Sequence, residues 1–392
     1  MKNIFLLVLL TSLLYNCNIS NESTPETPSE CSESFQDHRN HPKAAIYQEI
    51  LDRNRKRRIV GATMLIKDAD GIWSGASGMA DLANNPEMRA CDRMAIASIS
   101  KPFTAVVIMK LIEEGLLNME SEVKGFVDDE IIEKLANAED AKIKHLLSHR
   151  SGIPDYYYLQ HRLDQVNTDD KIQSFEQLVR YAYGKKAYFD VGESYAYSNT
   201  NYVLLGIIAE RASGKSLKQL YEEIIFQPLD LKSAYFDMEV PFPNDMPKGY
   251  IDFYGNDTMV DSEFLYGDEA RTPDGGIVID NLDLLRFFEG LWKGELLKEE
   301  SLAIMTDWFE LPEEEKDYEY VGQLKNGYGL EHFENAYAYA IGHTGGIDGF
   351  LSLAFYFPKQ DFMFIEVINT VDYDLDARID IYKEAIEVMF DD

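Results

Sequence analysis

Basic residues are scarce in this chain of 392 residues: 37 lysines and arginines stand against 69 aspartates and glutamates, a formal net charge of −32. A surface with this charge repels the phosphates of nucleic acids and of anionic lipid headgroups. We therefore exclude nucleic acid as a partner. The chain is nevertheless 45% hydrophobic and 12% aromatic, which is enough for one large globular domain or two ordinary ones.

Motifs of several common site classes are missing as well. The sequence has no G-x-S-x-G elbow, and the stretch 214–216 (GKS) lacks the glycine of a phosphate-binding loop, because Ala209 stands in its place. His145 and His149 have the i, i+4 spacing of metal ligands, but the glutamate of H-E-x-x-H is absent and no third ligand follows. A loop or capping role is the favoured interpretation. With no cysteine cluster either, we predict no metal centre and no cofactor.

Long apolar runs are also lacking. The N-terminal run 4–14 is too short to span a bilayer and is typical of the core of a signal peptide, which we place at 1–16. Cys17 follows Leu14 at the spacing of a bacterial lipobox, so we expect it to be lipidated. The polar stretch 17–42 suits a flexible tether. This predicts an exported protein that is lipid-anchored in the bacterial cell envelope, in the periplasm or at the cell surface.

Two further cysteines, Cys31 and Cys91, would be left beside the lipidated one. In an exported protein they can form a disulfide that ties the tether to the domain. The alternative is that Cys91 is a buried thiol. Both interpretations stay open here, because a bridge depends on a geometry that the sequence does not contain.

Strand patterns lie near both ends of the chain. Apolar segments at 59–67 and 72–75 flank a turn, and those at 349–357 and 362–368 flank another, before a final amphipathic helix at about 375–389. Helical spacing dominates between them, at 103–114, 175–183, 202–212, 217–225 and 282–291. We predict an α+β fold: an antiparallel sheet built from both chain ends and flanked by helices, with a mostly helical insert at about 120–270.

Ser98 and Lys101 fit the pattern S-x-x-K, which places a serine nucleophile and a lysine one helical turn apart on the same face. Ser121 and Lys124 fit it too, but in a charged connector. Ser98 differs because it directly precedes the apolar run of a buried helix. Taken alone, its alternative role is an ordinary helix cap.

Two further motifs follow in order: Tyr197-Ser198-Asn199 and His343-Thr344-Gly345-Gly346. From about residue 43 to the C-terminus the chain resembles the serine β-lactamase and penicillin-binding-protein superfamily, in the branch that has Y-x-N as its second motif. That branch includes class C β-lactamases, D-alanyl-D-alanine carboxypeptidases, D-stereospecific aminopeptidases and related esterases. Supporting matches are 146–154 (LLSHRSGIP), the pair 275–276 (GG) and 327–330 (GYGL).

The resemblance implies a β-lactamase/transpeptidase-like serine hydrolase domain over 43–392, and the departures bear on its substrate. His343 replaces the lysine that β-lactamases usually have, a form seen in some D-Ala-D-Ala carboxypeptidases. A small residue usually precedes the Gly-Gly pair, whereas this chain has Asp274. The lining of that wall of the pocket is therefore left open.

The resemblance also implies a role for each motif residue. Ser98 is the nucleophile that forms an acyl-enzyme, and either Lys101 or Tyr197 is the base. For Lys101 to act, burial and a second cation such as His343 would have to lower its pKa by roughly 3 units. The remaining roles are hydrogen bonding of Lys101 and substrate by Asn199, substrate binding by His343, Thr344 and Gly345, and an oxyanion hole formed by the backbone N–H groups of Ser98 and Gly346.

The expected function is that of an exported serine hydrolase acting on a small peptide, ester or β-lactam-like substrate, with D-Ala-D-Ala carboxypeptidase-like activity. An esterase or a D-aminopeptidase of the same family is one alternative. A penicillin-binding sensor lipoprotein that is acylated without turnover is another. The membrane is expected as a partner through the lipid anchor, and the oligomeric state stays open.

Overall fold

The computed structural model describes residues 40–54, 58–157, 161, 164, 174–238, 243, 245–263, 265, 272–318, 320–371 and 377–391. The predicted signal peptide, the predicted lipidation site Cys17, and Cys31 lie outside these residues. Among the described helices, none is both long enough and apolar enough to cross a membrane.

Helices occupy much of the middle of the chain and both flanks. They are α1 (Ala44–Asn54), α2 (Ser100–Glu113), α3 (Asp129–Lys134), α4 (Ile143–Leu147), α5 (Phe175–Val179), α6 (Asn199–Ser213), α7 (Leu217–Tyr221), α8 (Asn281–Trp292), α9 (Glu299–Met305) and α10 (Ala377–Phe390). A short 3-10 turn at Ala97–Ile99 precedes α2, and a π-helical turn at Glu222–Phe226 continues α7.

The strands form one large sheet and two small ones. In chain order they are β1 (Gly61–Asp68), β2 (Gly71–Gly78), β3 (Met94–Ala95), β4 (Tyr250–Ile251), β5 (Val260–Asp261), β6 (Val278–Ile279), β7 (Phe309–Glu310), β8 (Gln323–Asn326), β9 (Glu331–Glu334), β10 (Tyr339–Ile347), β11 (Phe350–Phe357), β12 (Phe362–Ile368) and β13 (Thr370–Val371). The large sheet is antiparallel, in the order β2-β1-β12-β11-β10-β9-β8-β7.

The sheet is covered on both faces, because its strands alternate between two apolar clusters. Leu65 of β1 packs in the cluster that includes α2, α6 and α8, whereas its neighbours Met64 and Ile66 pack in the cluster with α1 and α10. Successive side chains of a strand point to opposite faces, so a strand that is apolar at almost every position needs cover on both. The two chain ends meet where β1 pairs with β12, for example Leu65 with Ile365.

The prediction of an α+β fold with an antiparallel sheet from both chain ends is confirmed. The boundaries differ slightly: β12 has the predicted limits, whereas α2 starts three residues earlier than predicted and contains Pro102 in its first turn. Proline is tolerated there because a first-turn N–H has no partner within the helix. Helices α3 to α7 fall within the range predicted for the helical insert.

Cys91 is disulfide-bonded in the structure. The alternative of a free buried thiol is therefore excluded. The predicted partner, Cys31, lies outside the described residues, so that pairing stays a prediction.

Candidate active site

The turn that carries Ser98 is tightly held. Ala97, directly before it, has a φ of 49°, a left-handed conformation that is unusual for alanine and strained. The carbonyl of Ile96 accepts a hydrogen bond from Ser352 Oγ of β11 at 2.8 Å, which ties the turn to the sheet. Ser98 therefore lies at the junction between the sheet and α2, with its side chain partly accessible.

Lys101 is fully buried, and its Nζ atom connects the first two motifs. It lies 3.1 Å from Ser98 Oγ, 2.8 Å from Asn199 Oδ1 and 2.9 Å from the carbonyl oxygen of Asp274. Burial lowers the pKa of Lys101 to about 8, while the charges of Asp274, Asp155 and Glu331 oppose this change. Burial has this effect because a low-dielectric interior disfavours the charged form.

His343 is not the second cation that the sequence suggested. Burial lowers its pKa to about 3, and the positive charge of Lys101 acts in the same direction, so its ring is neutral at pH 7. Its Nδ1 lies 2.6 Å from the carbonyl oxygen of Thr344 and must be the donor, since a carbonyl can only accept. The lowered pKa of Lys101 thus comes from burial rather than from a neighbouring imidazolium.

Asn199 of the second motif faces the site, and Ser198 does not cap the helix that follows. Helix α6 begins at Asn199, and within the described residues Ser198 makes no side-chain capping bond to it. The Asn199 side chain instead accepts from Lys101 and donates to Asp155 Oδ2 at 3.1 Å. Because both ends of the amide are engaged, its orientation is fixed.

Tyr197 completes the group around Lys101. Its ring centroid lies 4.9 Å from the Nζ atom, and His149 stacks on it at 4.4 Å. Burial raises the pKa of Tyr197 well above its ordinary value, with a smaller opposing effect from a hydrogen bond to Ser98. The phenol is therefore neutral at pH 7.

The third motif lies on β10, beside a buried acid that the sequence analysis missed. Glu331 of β9 accepts the backbone N–H of Thr344 at 3.1 Å, and its other oxygen lies 3.6 Å from His343 Nε2. Burial raises the pKa of Glu331 to about 7, although the contact with Thr344 and the charge of Lys101 oppose the rise. Its position directly after the quoted G-Y-G-L stretch was the available signal.

Gly345 allows β10 to approach the nucleophile turn. A Cβ atom at this position would lie 2.3 Å from the carbonyl oxygen of Ile96 and 2.2 Å from Ser352 Oγ. No real Cβ contact is that short, so a side chain here would push the strand away from the turn. The glycine of the third motif is thus required by packing against the segment that carries Ser98.

A small cleft lies between these elements. Among the described residues it is lined by Ser98, Asn199 and Gly346 from the motifs and by Tyr156, Tyr157, Thr272, Asp274, Gly275 and Ile347. The predicted oxyanion-hole residues, Ser98 and Gly346, therefore face the same space. The residue before the Gly-Gly pair, whose effect on the pocket could not be predicted from the sequence, is Asp274, and it lines this cleft.

The histidines that could ligate a metal already have partners within the chain. His145 Nδ1 accepts the N–H of Lys142 at the start of α4, and His149 Nδ1 accepts that of Ser198, so these histidines serve the backbone. His41, Asp68 and Asp70 lie close together in the described part of the chain, but His41 Nε2 is already 2.8 Å from Asp68. None of these residues lines the cleft described above.

A family model, Beta-lactamase, matches residues 44–388. The chain belongs to the β-lactamase family. The resemblance drawn from the three motifs is thereby confirmed, and the side chains of Ser98, Lys101 and Asn199 that the family pattern singles out are in direct contact.

Individual members of the family are similar over most of the domain. A penicillin-binding protein of Bacillus subtilis (strain 168) is 26% identical over 261 residues, which are 63% of this chain and 55% of the relative. A D-aminopeptidase of Cereibacter sphaeroides strain KD131 is 25% identical over 316 residues, 79% of this chain and 56% of the relative. The chain thus spans little more than half the length of these relatives.

Among solved structures, a D-stereospecific amidohydrolase from Streptomyces sp. superimposes with a TM-score of 0.75 at 26% identity. The match covers 89% of this chain and 99% of that one. The match therefore takes in nearly the whole of the fold described above.

Proposed function

We propose that this protein is a serine hydrolase that forms an acyl-enzyme on Ser98. The observation that carries the proposal is the buried Lys101 Nζ within hydrogen-bond distance of both Ser98 Oγ and Asn199 Oδ1. A serine hydroxyl becomes a useful nucleophile only beside a base. A lysine whose pKa is about 8 is neutral in roughly one molecule in ten at pH 7.

In the acylation step the hydroxyl proton of Ser98 moves to the neutral Lys101 nitrogen as Oγ attacks the substrate carbonyl carbon. A neutral lysine has two N–H donors, which suffice for Asn199 and the carbonyl of Asp274, and a lone pair for the serine proton. The backbone N–H groups of Ser98 and Gly346 stabilise the resulting oxyanion.

Tyr197 acts as a proton donor in this proposal. Because its pKa is raised, the phenol is protonated and can transfer its proton to the leaving nitrogen when the carbon–nitrogen bond breaks. Lys101, now charged, returns a proton to the tyrosine oxygen. In the second half-reaction water attacks the ester carbonyl, its proton is taken up at the Lys101–Tyr197 pair, and Ser98 is released with its hydroxyl proton restored.

Hydrolysis of amide bonds next to D-configured residues is the reaction class that we propose, with a D-aminopeptidase-like activity favoured within it. Of the residues expected to bind the substrate, His343 offers no positive charge for a carboxylate, because it is neutral and is backed by Glu331. Within the described residues no lysine or arginine lines the cleft. A D-Ala-D-Ala carboxypeptidase-like activity is the second candidate, supported by the H-T-G form of the third motif.

Intact-mass spectrometry with a fluorophosphonate and with benzylpenicillin tests the proposal. We expect one adduct on the wild-type protein and none on Ser98→Ala. Ser121→Ala is the matched control, because Ser121 belongs to the other S-x-x-K match and should leave labelling intact. Turnover of D-amino acid anilides with a penicillin adduct that decays supports a hydrolase. A lasting penicillin adduct without turnover of any anilide or ester would replace it by the sensor, and no adduct would refute both.

We also propose that the protein is exported and lipid-anchored through Cys17. The disulfide at Cys91 supports export, because such bonds persist mainly in oxidising compartments. Mass spectrometry of the protein extracted from membranes should find a diacylglyceryl-modified N-terminal Cys17, and Cys17→Ser should move the protein to the soluble fraction. An unmodified Cys17 in a membrane-free protein would contradict the anchor.

A further inference from the structure

Asp274 presents a buried carboxylate oxygen that lacks a donor. Its side chain is 6% exposed and lines the cleft beside Ser98. The Tyr156 hydroxyl donates to Oδ2 at 3.3 Å, and Thr272 also hydrogen-bonds the carboxyl group. The other oxygen, Oδ1, is buried and has no hydrogen-bond partner in the described part of the chain. A buried oxygen without a hydrogen bond lowers the stability of the fold. A ligand that donates a hydrogen bond to Oδ1 would therefore bind favourably here.

Asp274 lies close to the reacting serine, because both residues line the same cleft. One Nζ atom, that of Lys101, binds both the Asp274 carbonyl oxygen at 2.9 Å and Ser98 Oγ at 3.1 Å. The main chain of Asp274 is therefore held one hydrogen bond away from the lysine that serves the nucleophile. A ligand group that reaches the Asp274 side chain would be next to an acyl group on Ser98.

The charges around the cleft favour a positively charged ligand group as the hydrogen-bond donor to Asp274. Three acids, Asp155, Asp274 and Glu331, act electrostatically on Lys101. The two histidines of the site are kept neutral by burial. Burial raises the pKa of Asp274 and the charge of Lys101 opposes the rise; a second cation in the cleft would further favour the ionised carboxylate.

We propose that Asp274 is a specificity-determining residue whose Oδ1 atom binds a primary ammonium group of the substrate. The substrate class is then amides or esters whose acyl part carries a free amine close to the scissile carbonyl, as in D-amino acid amides and peptides with a free D-amino terminus. This inference rests on the proposed acyl-enzyme function and names the substrate of that same site.

The test compares two substrates that differ in one charge, D-alanine p-nitroanilide and N-acetyl-D-alanine p-nitroanilide. The readout is the ratio of their kcat/KM values in wild type and in Asp274→Asn, which keeps the shape and removes the charge. Asp252→Asn is the matched control, since Asp252 is also largely buried but binds the backbone of a remote turn. Fluorophosphonate labelling of Ser98 reports that each variant is folded.

We expect the wild type to prefer the free amine, Asp274→Asn to lower the ratio about 10- to 100-fold, the size typical of a charged hydrogen bond, and Asp252→Asn to keep it. A wild type that hydrolyses the acetylated substrate equally well, or an Asp274→Asn ratio equal to that of the wild type, overturns the inference while the hydrolase stands.

Calorimetry covers the case in which no turnover occurs. D-Alanine amide and N-acetyl-D-alanine amide are titrated into Ser98→Ala, with and without Asp274→Asn. Selective binding of the free amine that weakens at least about tenfold on loss of the Asp274 charge supports the ammonium site even if catalysis fails. Equal binding of both ligands, or none, overturns it.

Discussion

The Nζ atom of Lys101 lies 3.1 Å from Ser98 Oγ in a position closed to solvent. An ammonium group in such a place loses its hydration, and here only partial compensation comes from three nearby acids. Lys101 can accept the serine proton near neutral pH only because burial lowers its pKa. The rate of acylation should therefore depend on pH through Lys101.

Acylation of Ser98 should follow the deprotonation of Lys101. With a pKa of about 8, the neutral base grows about tenfold per pH unit below pH 8 and levels off above it. We expect the rate of fluorophosphonate labelling to show this profile. Lys101→Arg keeps the charge at every accessible pH and should lose on the order of 10³-fold. Lys124→Arg, from the other S-x-x-K match, should not change the rate, and a flat wild-type profile would rule out this base.

Tyr197→Phe should affect amides more than activated esters. The protonated phenol is needed for a poor leaving group such as an anilide, so we expect a loss of about 10²-fold or more on D-alanine p-nitroanilide. The p-nitrophenyl ester of the same acid leaves without a proton and should lose far less. Tyr195→Phe serves as the control for loss of a nearby phenol. Equal losses on both substrates would argue against proton donation.

Gly345→Ala should disturb the join between β10 and the nucleophile turn. The new methyl group would meet the Ile96 carbonyl at 2.3 Å, so the strand must shift. We expect a loss of about 1–3 kcal/mol in the free energy of unfolding, measured with urea, together with slower labelling of Ser98. Gly125→Ala is the control, because a Cβ there meets nothing within 4 Å. Equal stability of the two variants would contradict the packing argument.

Glu331 should make stability depend on pH in a defined direction. Its folded pKa of about 7 lies above the ordinary value of 4.5, so the folded state holds a proton that the unfolded state has lost between these values. The free energy of unfolding therefore falls as pH rises from about 4.5 to about 7. Glu331→Gln removes this dependence, and its stability relative to wild type should rise by up to about 3 kcal/mol between pH 4 and pH 8.

Urea unfolding at those two pH values measures this difference. Glu334→Gln, at the exposed end of the same strand, is the control, and its unfolding free energy should change with pH as that of the wild type does. If Glu331→Gln showed the same change in unfolding free energy with pH as the wild type, burial would not be raising the pKa of Glu331.

Local patterns were sufficient to predict the strands near both chain ends and the proximity of Ser98 and Lys101. The apolar run 362–368 forms β12 with the predicted limits, because a strand covered on both faces must be apolar almost throughout. Ser98 and Lys101 are in contact at 3.1 Å, and their i, i+3 spacing at the start of a helix favours this by placing both side chains on one face.

The fold class, the family and the order of the three motifs could therefore be predicted from short sequence patterns. Which ionisable groups are buried could not, because burial depends on how distant segments pack together. In the sequence, nothing distinguishes three of these acids, Asp155, Asp274 and Glu331, from the many others, and His343 was expected to be a cation. All four are desolvated because segments far apart in the sequence pack around them. Desolvation depends on neighbours from the whole fold, and it lowers the pKa of Lys101 and keeps His343 neutral. The same enclosure leaves the Oδ1 atom of Asp274 without a donor among the described residues.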